Sequence, residues 1–191
     1  MTTMEIKFFV PIVLALYLSF TIAAGECPGV RSLSPDAACR EACGTELMYQ
    51  LCTATLRAEF KDPRSASEVT AYALAAARRA FRSYGATGEA VLAALSNSSI
   101  SGEDKYAYST CYWLEGYYGA TVAMGKVVRW LSEGCWFDGL HDEFMAALLD
   151  LERCRDLVMK LRPTPAVYPM IMDDRNRTFL AYILGKLLGI E

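Results

Sequence analysis

The 191-residue sequence is poor in the residues that most catalytic and metal sites need. It contains a single histidine, His141, and it has no C-x-x-C pair and no G-x-S-x-G motif. These absences disfavour a zinc site built from cysteine and histidine, and they disfavour serine hydrolase chemistry. His141 adjoins Asp142 and Glu143, a pattern more typical of a helix start than of a catalytic group. We therefore expect no catalytic residue, no metal and no cofactor.

The sequence also lacks a strong net charge. The formal charge is −3 at pH 7, which gives no support to nucleic-acid binding. Arg78, Arg79 and Arg82 form a small basic patch on one predicted helix. We interpret this patch as a solvated helix face.

Only one long apolar run occurs, and it lies at the N-terminus. Residues 8–24 are apolar, Lys7 precedes them, Pro11 interrupts them, and small residues around Ala24 and Gly25 follow. This order is typical of a secretory signal, and the run is short for a spanning helix, which needs ~20 residues. We predict a signal peptide over residues 1–25, a secreted protein in the cell wall or the vacuole, and no membrane association after cleavage. A retained signal anchor is the alternative.

Cysteine is well represented after this leader. In an oxidising compartment cysteines are candidates for disulfides before they are candidates for metal or redox sites, and an odd number leaves at least one thiol unpaired within the chain. Two N-x-[ST] triplets, at Asn97 and Asn176, predict glycosylation. The seven cysteines are Cys27, Cys39, Cys43, Cys52, Cys111, Cys135 and Cys154.

Helical periodicity dominates the mature chain, and strand-like alternation does not persist. Two short helices, residues 36–43 and 47–59, are too short to be stable alone in water. A Cys43–Cys52 bond would close a ten-residue loop and stabilise this hairpin by ~2.7 kcal/mol in the chain-entropy treatment. The longer predicted helices are residues 67–84, 89–95 after a kink or break at 85–88, 103–133, 140–161 and 173–188.

These helices predict an all-α fold, an up-down four-helix bundle preceded by a short disulfide-stapled helical hairpin. We place the hairpin in residues 26–66 and the bundle in residues 67–191, together one domain. Cys111 and Cys154 lie on inner seams of consecutive helices, and a bond between them would contribute ~4 kcal/mol if the geometry allows it. The predicted seam of the 103–133 helix is Ala107, Cys111, Leu114, Tyr118, Val122, Gly125 and Val128.

A tyrosine-rich face on the same helix could indicate sugar stacking. At these spacings, however, the rings go most of the way round a continuous helix, so packing in the core and at its rim is favoured. The five residues are Tyr106, Tyr108, Tyr112, Tyr117 and Tyr118.

Five segments occur in a distinctive order along the mature chain. They are the Cys43-x8-Cys52 segment, the Asp-Pro-Arg-Ser-Ala entry at residues 62–66, Ser-Thr-Cys at 109–111, Glu-Arg-Cys-Arg-Asp at 152–156 and the apolar end at 179–188. With this ordered set the mature chain resembles the plant invertase/pectin methylesterase inhibitor family. The resemblance implies disulfides Cys43–Cys52 and Cys111–Cys154. It also implies a non-catalytic inhibitor that blocks a plant pectin methylesterase or acid invertase in a one-to-one complex.

The candidate target-binding loop is Cys135, Trp136 and Phe137. In this family the invertase-type inhibitors carry Pro-Lys-Phe here, and this chain matches only the phenylalanine. An alternative is that Trp136 and Phe137 form a hydrophobic staple at a helix start. Cys27 could pair with Cys39, which would leave Cys135 free. A non-inhibitory family member that acts as a secreted binding or structural protein, and a small lipid-binding protein, are the alternative functions.

Overall fold

The computed structural model describes residues 27–62, 67–113, 116–161 and 165–190. The fold of this part of the chain is all-α, with seven helices and one pair of two-residue strands. The predicted signal peptide lies outside the described residues. No helix within the described ranges is long and apolar enough to cross a membrane.

A hairpin of two short helices comes first. Helix α1 is Pro35–Ala42 and helix α2 is Glu46–Glu59. The hydroxyls of Ser34 and Thr45 accept hydrogen bonds from the first turns of α1 and α2, so both helices have side-chain N-caps. The hairpin packs on the bundle, against its first and last helices.

The bundle contains five helices in four positions, because two short consecutive helices together occupy the position of one long helix. The second and third of these helices scarcely contact each other, and each packs between the first helix and the fourth, as the last helix also does. The five are α3 (Val69–Leu95), α4 (Gly102–Tyr112), α5 (Tyr117–Glu133), α6 (Leu140–Val158) and α7 (Tyr168–Lys186).

The predicted inner stripes of two helices are confirmed. In α3 the small stripe of Val69, Ala73, Ala76 and Ala80 is buried. The seam of α6 from Phe144 to Val158 is buried throughout. Small residues on α3 allow close helix approach, while larger residues on α6 fill the space between the helices.

The prediction of one helix over residues 103–133 is wrong. The helix ends at Tyr112 and a new one begins at Tyr117. Gly116 makes this geometry achievable, since a Cβ atom there would lie 1.8 Å from the carbonyl oxygen of Cys111. The break shifts the helical register, so the predicted seam holds at Cys111 but fails at Tyr118, which is exposed. The buried residues of α5 are Tyr117, Ala120, Ala123, Met124, Val127 and Leu131.

Two other helix boundaries differ from the prediction. Helix α3 continues through Gly85 and Gly88 without a break, because packing against α7 and α5 outweighs the weak helix propensity of glycine. Helix α7 begins at Tyr168, not near residue 173. Pro169 lies within its first turn, where its missing N–H costs no hydrogen bond.

A short strand pair fastens the N-terminal segment to the start of the bundle. Strand β1 (Ser32–Leu33) pairs antiparallel with β2 (Ser67–Glu68). The Tyr72 hydroxyl donates a 2.7 Å hydrogen bond to the carbonyl of Leu33, so the first turn of α3 also holds β1. The chain before the hairpin is therefore fixed against the bundle.

The disulfides differ from the expected pairings in two of three cases. Cys52 bonds to Cys39, not to Cys43. Cys43 lies at the end of α1, next to the turn between the helices, while Cys52 lies ~9 Å along α2 from its first residue. The two cysteines are therefore not opposite each other in the hairpin. Cys39 lies one turn earlier on the buried face of α1, where its Cα is 5.7 Å from that of Cys52.

The other two bonds join distant parts of the chain. Cys27 bonds to Cys135, so the expected Cys27–Cys39 pair is wrong and Cys135 is not free. The strand pair holds the N-terminal segment beside the start of α3, and the disulfide joins this segment to the loop after α5. Cys111 and Cys154 are bonded across α4 and α6, with their Cα atoms 4.4 Å apart.

A buried polar cluster crosses the bundle between α3, α5 and α7. The Tyr117 hydroxyl donates a 2.8 Å hydrogen bond to the carboxylate of Asp174, and the Thr178 hydroxyl donates to the Asp174 carbonyl. The hydroxyls of Tyr84 and Thr178 are 2.5 Å apart. Burial raises the pKa values of Tyr84 and Tyr117 far above their ordinary range, so both phenols stay protonated.

Candidate partner-binding site

The predicted target-binding residues lie in the loop that joins α5 to α6, residues 134–139. Gly139 closes this loop with a φ of 79°, a left-handed conformation that glycine adopts without strain, and α6 follows directly. The Leu140 N–H donates a 3.2 Å hydrogen bond to the carbonyl of Phe137, which tightens the turn. The loop is therefore short and has a defined backbone.

Trp136 and Phe137 have different surroundings. The side chain of Phe137 is partly buried and packs against the core, as the hydrophobic-staple alternative expects. Trp136 is 73% exposed, the largest exposed fraction among the exposed large apolar residues that the structure describes. An aromatic residue held at the surface on a rigid loop is a typical interface anchor. Of the two, Trp136 has the geometry for binding a partner.

A shallow hollow of about 290 Å³ lies beside Trp136 and is formed with the last turns of α5. Trp130 gives it an apolar wall, and Arg129 and Glu133 line its rim. Arg129 and Glu133 form an exposed ion pair at 3.5 Å, which contributes little stability. The arginine can therefore exchange this contact for a partner's carboxylate at small cost.

Arg129 is a candidate site residue that the sequence pattern does not predict. No cation occurs in the loop itself, and Arg129 lies seven positions before Trp136 in the sequence. Arg129 lies about one turn before the end of α5, which places it next to the loop. The seven-residue spacing between Arg129 and Trp136 is the signal that the sequence offers. Only the backbone of the loop shows that the Trp136 indole turns back towards α5.

The Cys27–Cys135 disulfide holds the loop in place. Cys27 is buried, and its N–H donates to the carboxylate of Glu68 in β2. The bond thus connects the loop to the strand pair and to the first turn of α3. A loop that is fixed before binding loses less conformational entropy when a partner binds it.

The expected glycosylation sites have different environments. Asn97 is exposed in the turn after α3, and its side-chain oxygen accepts a 3.0 Å hydrogen bond from the Ser99 N–H. Asn176 is half-buried within α7, and Thr178 of the same triplet is fully buried. Glycan attachment at both sites stays a prediction, and only Asn97 has the exposure that a glycan needs in the folded protein.

Two other candidate residues have structural surroundings. Cys43 is a free, partly buried thiol, and burial raises its pKa, which disfavours the reactive thiolate. His141 packs edge-to-face against Tyr182, with ring centroids 5.6 Å apart. Within the described ranges no group of three histidine, cysteine or acidic side chains is placed to hold a metal.

Comparison with solved structures identifies the fold. The chain is similar to a mutant form of a pectin methylesterase inhibitor from Arabidopsis, with a TM-score of 0.62 and 18% identity over 73% of this chain and 89% of that one. It is also similar to a pectin methylesterase inhibitor from Arabidopsis thaliana, with a TM-score of 0.58 and 19% identity over 73% of this chain and 88% of that one.

Similarity in sequence is much weaker. No family model matches the chain, and no curated sequence matches it significantly. The likeness therefore lies in the order and packing of the helices. The chain has the helical-bundle fold of these pectin methylesterase inhibitors.

Proposed function

We propose that this protein is a secreted inhibitor that binds a plant carbohydrate-active enzyme one-to-one and blocks its active site. Pectin methylesterase is the first target to test, because the two solved structures described above are inhibitors of that enzyme. Acid invertase is the second target. The observation that supports binding most directly is the exposed Trp136 on a loop that a disulfide fixes to the bundle.

The surface around Trp136 has the residue types that interfaces favour. Tryptophan and arginine are enriched among residues that contribute most to binding, and Trp136 and Arg129 line one hollow. A stable complex buries roughly 800 Å² on each partner, so the loop would supply the anchor and the neighbouring helix ends the remaining area. The inhibitor itself performs no chemistry in this proposal.

Secretion is part of the same proposal. Three disulfides in one small domain are typical of proteins that fold in an oxidising compartment. The predicted leader over residues 1–25 would direct the chain there, to the cell wall or the vacuole.

The test is a titration of the purified, oxidised protein against a pectin methylesterase and an acid invertase at mildly acidic pH. Inhibition of either enzyme with one-to-one stoichiometry is the expected result. Trp136→Ala should raise the inhibition constant about 30-fold or more, as truncation of an anchoring tryptophan does. Tyr106→Ala is the matched control, because Tyr106 is a similarly exposed aromatic residue on α4 and far from the loop in sequence.

Full activity of both enzymes at micromolar inhibitor would overturn the proposal. Inhibition that survives Trp136→Ala would keep the function but move the binding surface away from the loop. Phe137→Ala is a less suitable probe, since Phe137 packs against the core and its loss would also destabilise the fold.

A further inference from the structure

A second site lies on the other half of the bundle, where the break between α4 and α5 opens a cleft. The cleft measures about 540 Å³ and lies between these helices and α3. Its walls are mostly aromatic, and its rim carries charged and hydroxyl side chains. The wall residues are Phe81, Tyr84, Tyr112, Tyr117 and Tyr118.

The helix break is what brings these tyrosines together. On a continuous helix Tyr112, Tyr117 and Tyr118 would point in different directions, and core or rim packing would explain them. With the helix interrupted after Tyr112 and restarted at Tyr117, all three line the same cleft. Tyr118 is 63% exposed at the mouth, so one ring face is available to a ligand.

Two glycines of α3, Gly85 and Gly88, line the cleft. A Cβ atom at Gly88 would lie 3.5 Å from the ring of Tyr112, an ordinary van der Waals contact. A Cβ atom at Gly85 would meet no atom within 4 Å. Packing therefore does not require glycine at position 85, and a glycine lowers the stability of a helix interior. Binding of a ligand in the open space beside Gly85 would account for a glycine at this position.

The walls and the rim of the cleft have separate roles. The hydroxyls of Tyr84 and Tyr117 are engaged by Thr178 and Asp174, so these two wall residues present rings and not free hydroxyls. Polar recognition is left to the rim, where Arg82, Glu89 and Thr121 lie.

Charge selects the class of ligand. Arg82 lies on the rim, and its exposed 3.0 Å ion pair with Glu59 is weak enough to be exchanged. Arg78 lies one helical turn before Arg82, next to Arg79, and within the described residues neither has a carboxylate at ion-pair distance. An aromatic cleft lined by Arg82, with two more arginines within one turn on the same helix, fits a ligand with flat apolar faces, hydroxyls and carboxylates.

From these observations we propose that the cleft between α3 and the α4–α5 break binds an acidic oligosaccharide, a chain of uronic acid units. Pyranose faces pack on Tyr118 and Phe81, and a carboxylate pairs with Arg82. Sugar hydroxyls donate to Glu89 further along α3. The site is independent of enzyme inhibition, since it requires no partner protein and lies away from the 134–139 loop.

The test is isothermal titration of the oxidised protein with a linear galacturonic acid trisaccharide. The same trisaccharide with its carboxyls methyl-esterified is the matched neutral ligand. We expect the acid form to bind with a dissociation constant of roughly 1 mM or tighter, and more weakly as salt rises. The ester should bind about tenfold more weakly, and Arg82→Gln should remove this preference.

Three variants locate the binding. Tyr118→Ala removes an exposed ring, and Gly85→Leu fills the cleft, so each should weaken binding about tenfold or more. Tyr106→Ala, an exposed tyrosine that does not line the cleft, should change it less than twofold. Circular dichroism would verify that each variant is folded, and Tyr118→Ala remains informative even if Gly85→Leu does not fold.

The proposal is overturned if no binding occurs at 10 mM (about tenfold above the expected constant), if the ester binds as tightly as the acid, or if Tyr106→Ala weakens binding as much as Tyr118→Ala. If instead Tyr118→Ala abolishes enzyme inhibition while no sugar binds, the cleft is a protein-docking surface, and the carbohydrate proposal is wrong.

Discussion

The bond between Cys27 and Cys135 allows a quantitative test of what holds the N-terminal segment and the 134–139 loop together. The perturbation is the double variant Cys27→Ser, Cys135→Ser. Cys135 is exposed, and although Cys27 is buried, the strand pair and the Glu68 contact remain. The substitution therefore removes the covalent bond while most of the packing around it stays in place.

The magnitude follows from the length of chain that the bond encloses. Cys27 and Cys135 are 108 residues apart, and the chain-entropy treatment gives ~4.8 kcal/mol of stabilisation for a loop of this size. The Cys39–Cys52 bond, with a separation of 13, gives ~2.9 kcal/mol in the same treatment. Loss of the longer bond should therefore cost more, even though Cys135 is exposed.

Urea unfolding followed by far-ultraviolet circular dichroism measures this difference. All proteins should carry Cys43→Ser, because a free thiol can attack the remaining disulfides during the measurement. We expect the double variant to lose about 3–5 kcal/mol of unfolding free energy. The m-value should rise, since the unfolded chain becomes less compact without the bond. Cys43→Ser alone should change the free energy by less than about 0.5 kcal/mol.

A loss below about 1 kcal/mol with an unchanged m-value would refute this reasoning. Peptide mapping under non-reducing conditions gives an independent answer. A cross-linked peptide containing Cys27 and Cys135 is expected, and recovery of Cys27–Cys39 together with Cys43–Cys52 would contradict the structure.

Three further predictions concern the bundle. Phe144 is fully buried, so Phe144→Ala should lower the unfolding free energy by about 3–5 kcal/mol in the same titration, and a loss under 1 kcal/mol would contradict its burial. Because burial raises the pKa values of Tyr84 and Tyr117 above 10.0, the phenols of the unfolded chain ionise first, and stability should fall as pH rises through about 10. Tyr117→Phe should make this loss of stability with pH shallower. It should also lower the unfolding free energy by about 1–3 kcal/mol at pH 7, because the Asp174 carboxylate loses its hydrogen-bond donor. An unchanged slope of urea midpoints against pH would contradict the raised pKa of Tyr117. Gly85→Ala should raise the unfolding free energy by about 0.4–1 kcal/mol, since its methyl group meets open space, and a destabilised variant would show that the helix is strained there.

The sequence predicts the fold well where a helix follows one apolar period without interruption. In α6 the buried residues recur at helical spacing with no glycine or proline between them, and the predicted seam is the observed one. The α4–α5 break was missed because the apolar pattern runs on past Cys111 to Tyr118 and Val122. Gly116 was the available signal, but only the 1.8 Å approach to the Cys111 carbonyl shows that it is needed.

The candidate site was predictable only in part. The sequence indicates Trp136 and Phe137 as candidate binding residues. Their different burial depends on how the chain turns between α5 and α6. The disulfide partner of Cys135 could not be predicted, because it lies 108 residues away and is positioned by the pairing of two short strands. Pairings between distant residues leave no periodic pattern in a sequence.

The Cys27–Cys135 bond can form only late in synthesis of the chain, because its two cysteines are 108 residues apart. At ~5–20 residues per second, Cys27 waits about 5–20 s after synthesis before Cys135 follows it from the ribosome. During that interval Cys27, Cys39, Cys43 and Cys52 are all available to one another, and neighbours in sequence meet most often. The native bonds are thus not the ones that form most readily at first. Correct maturation should therefore depend on thiol–disulfide exchange, and a protein disulfide isomerase should raise the yield of the native form.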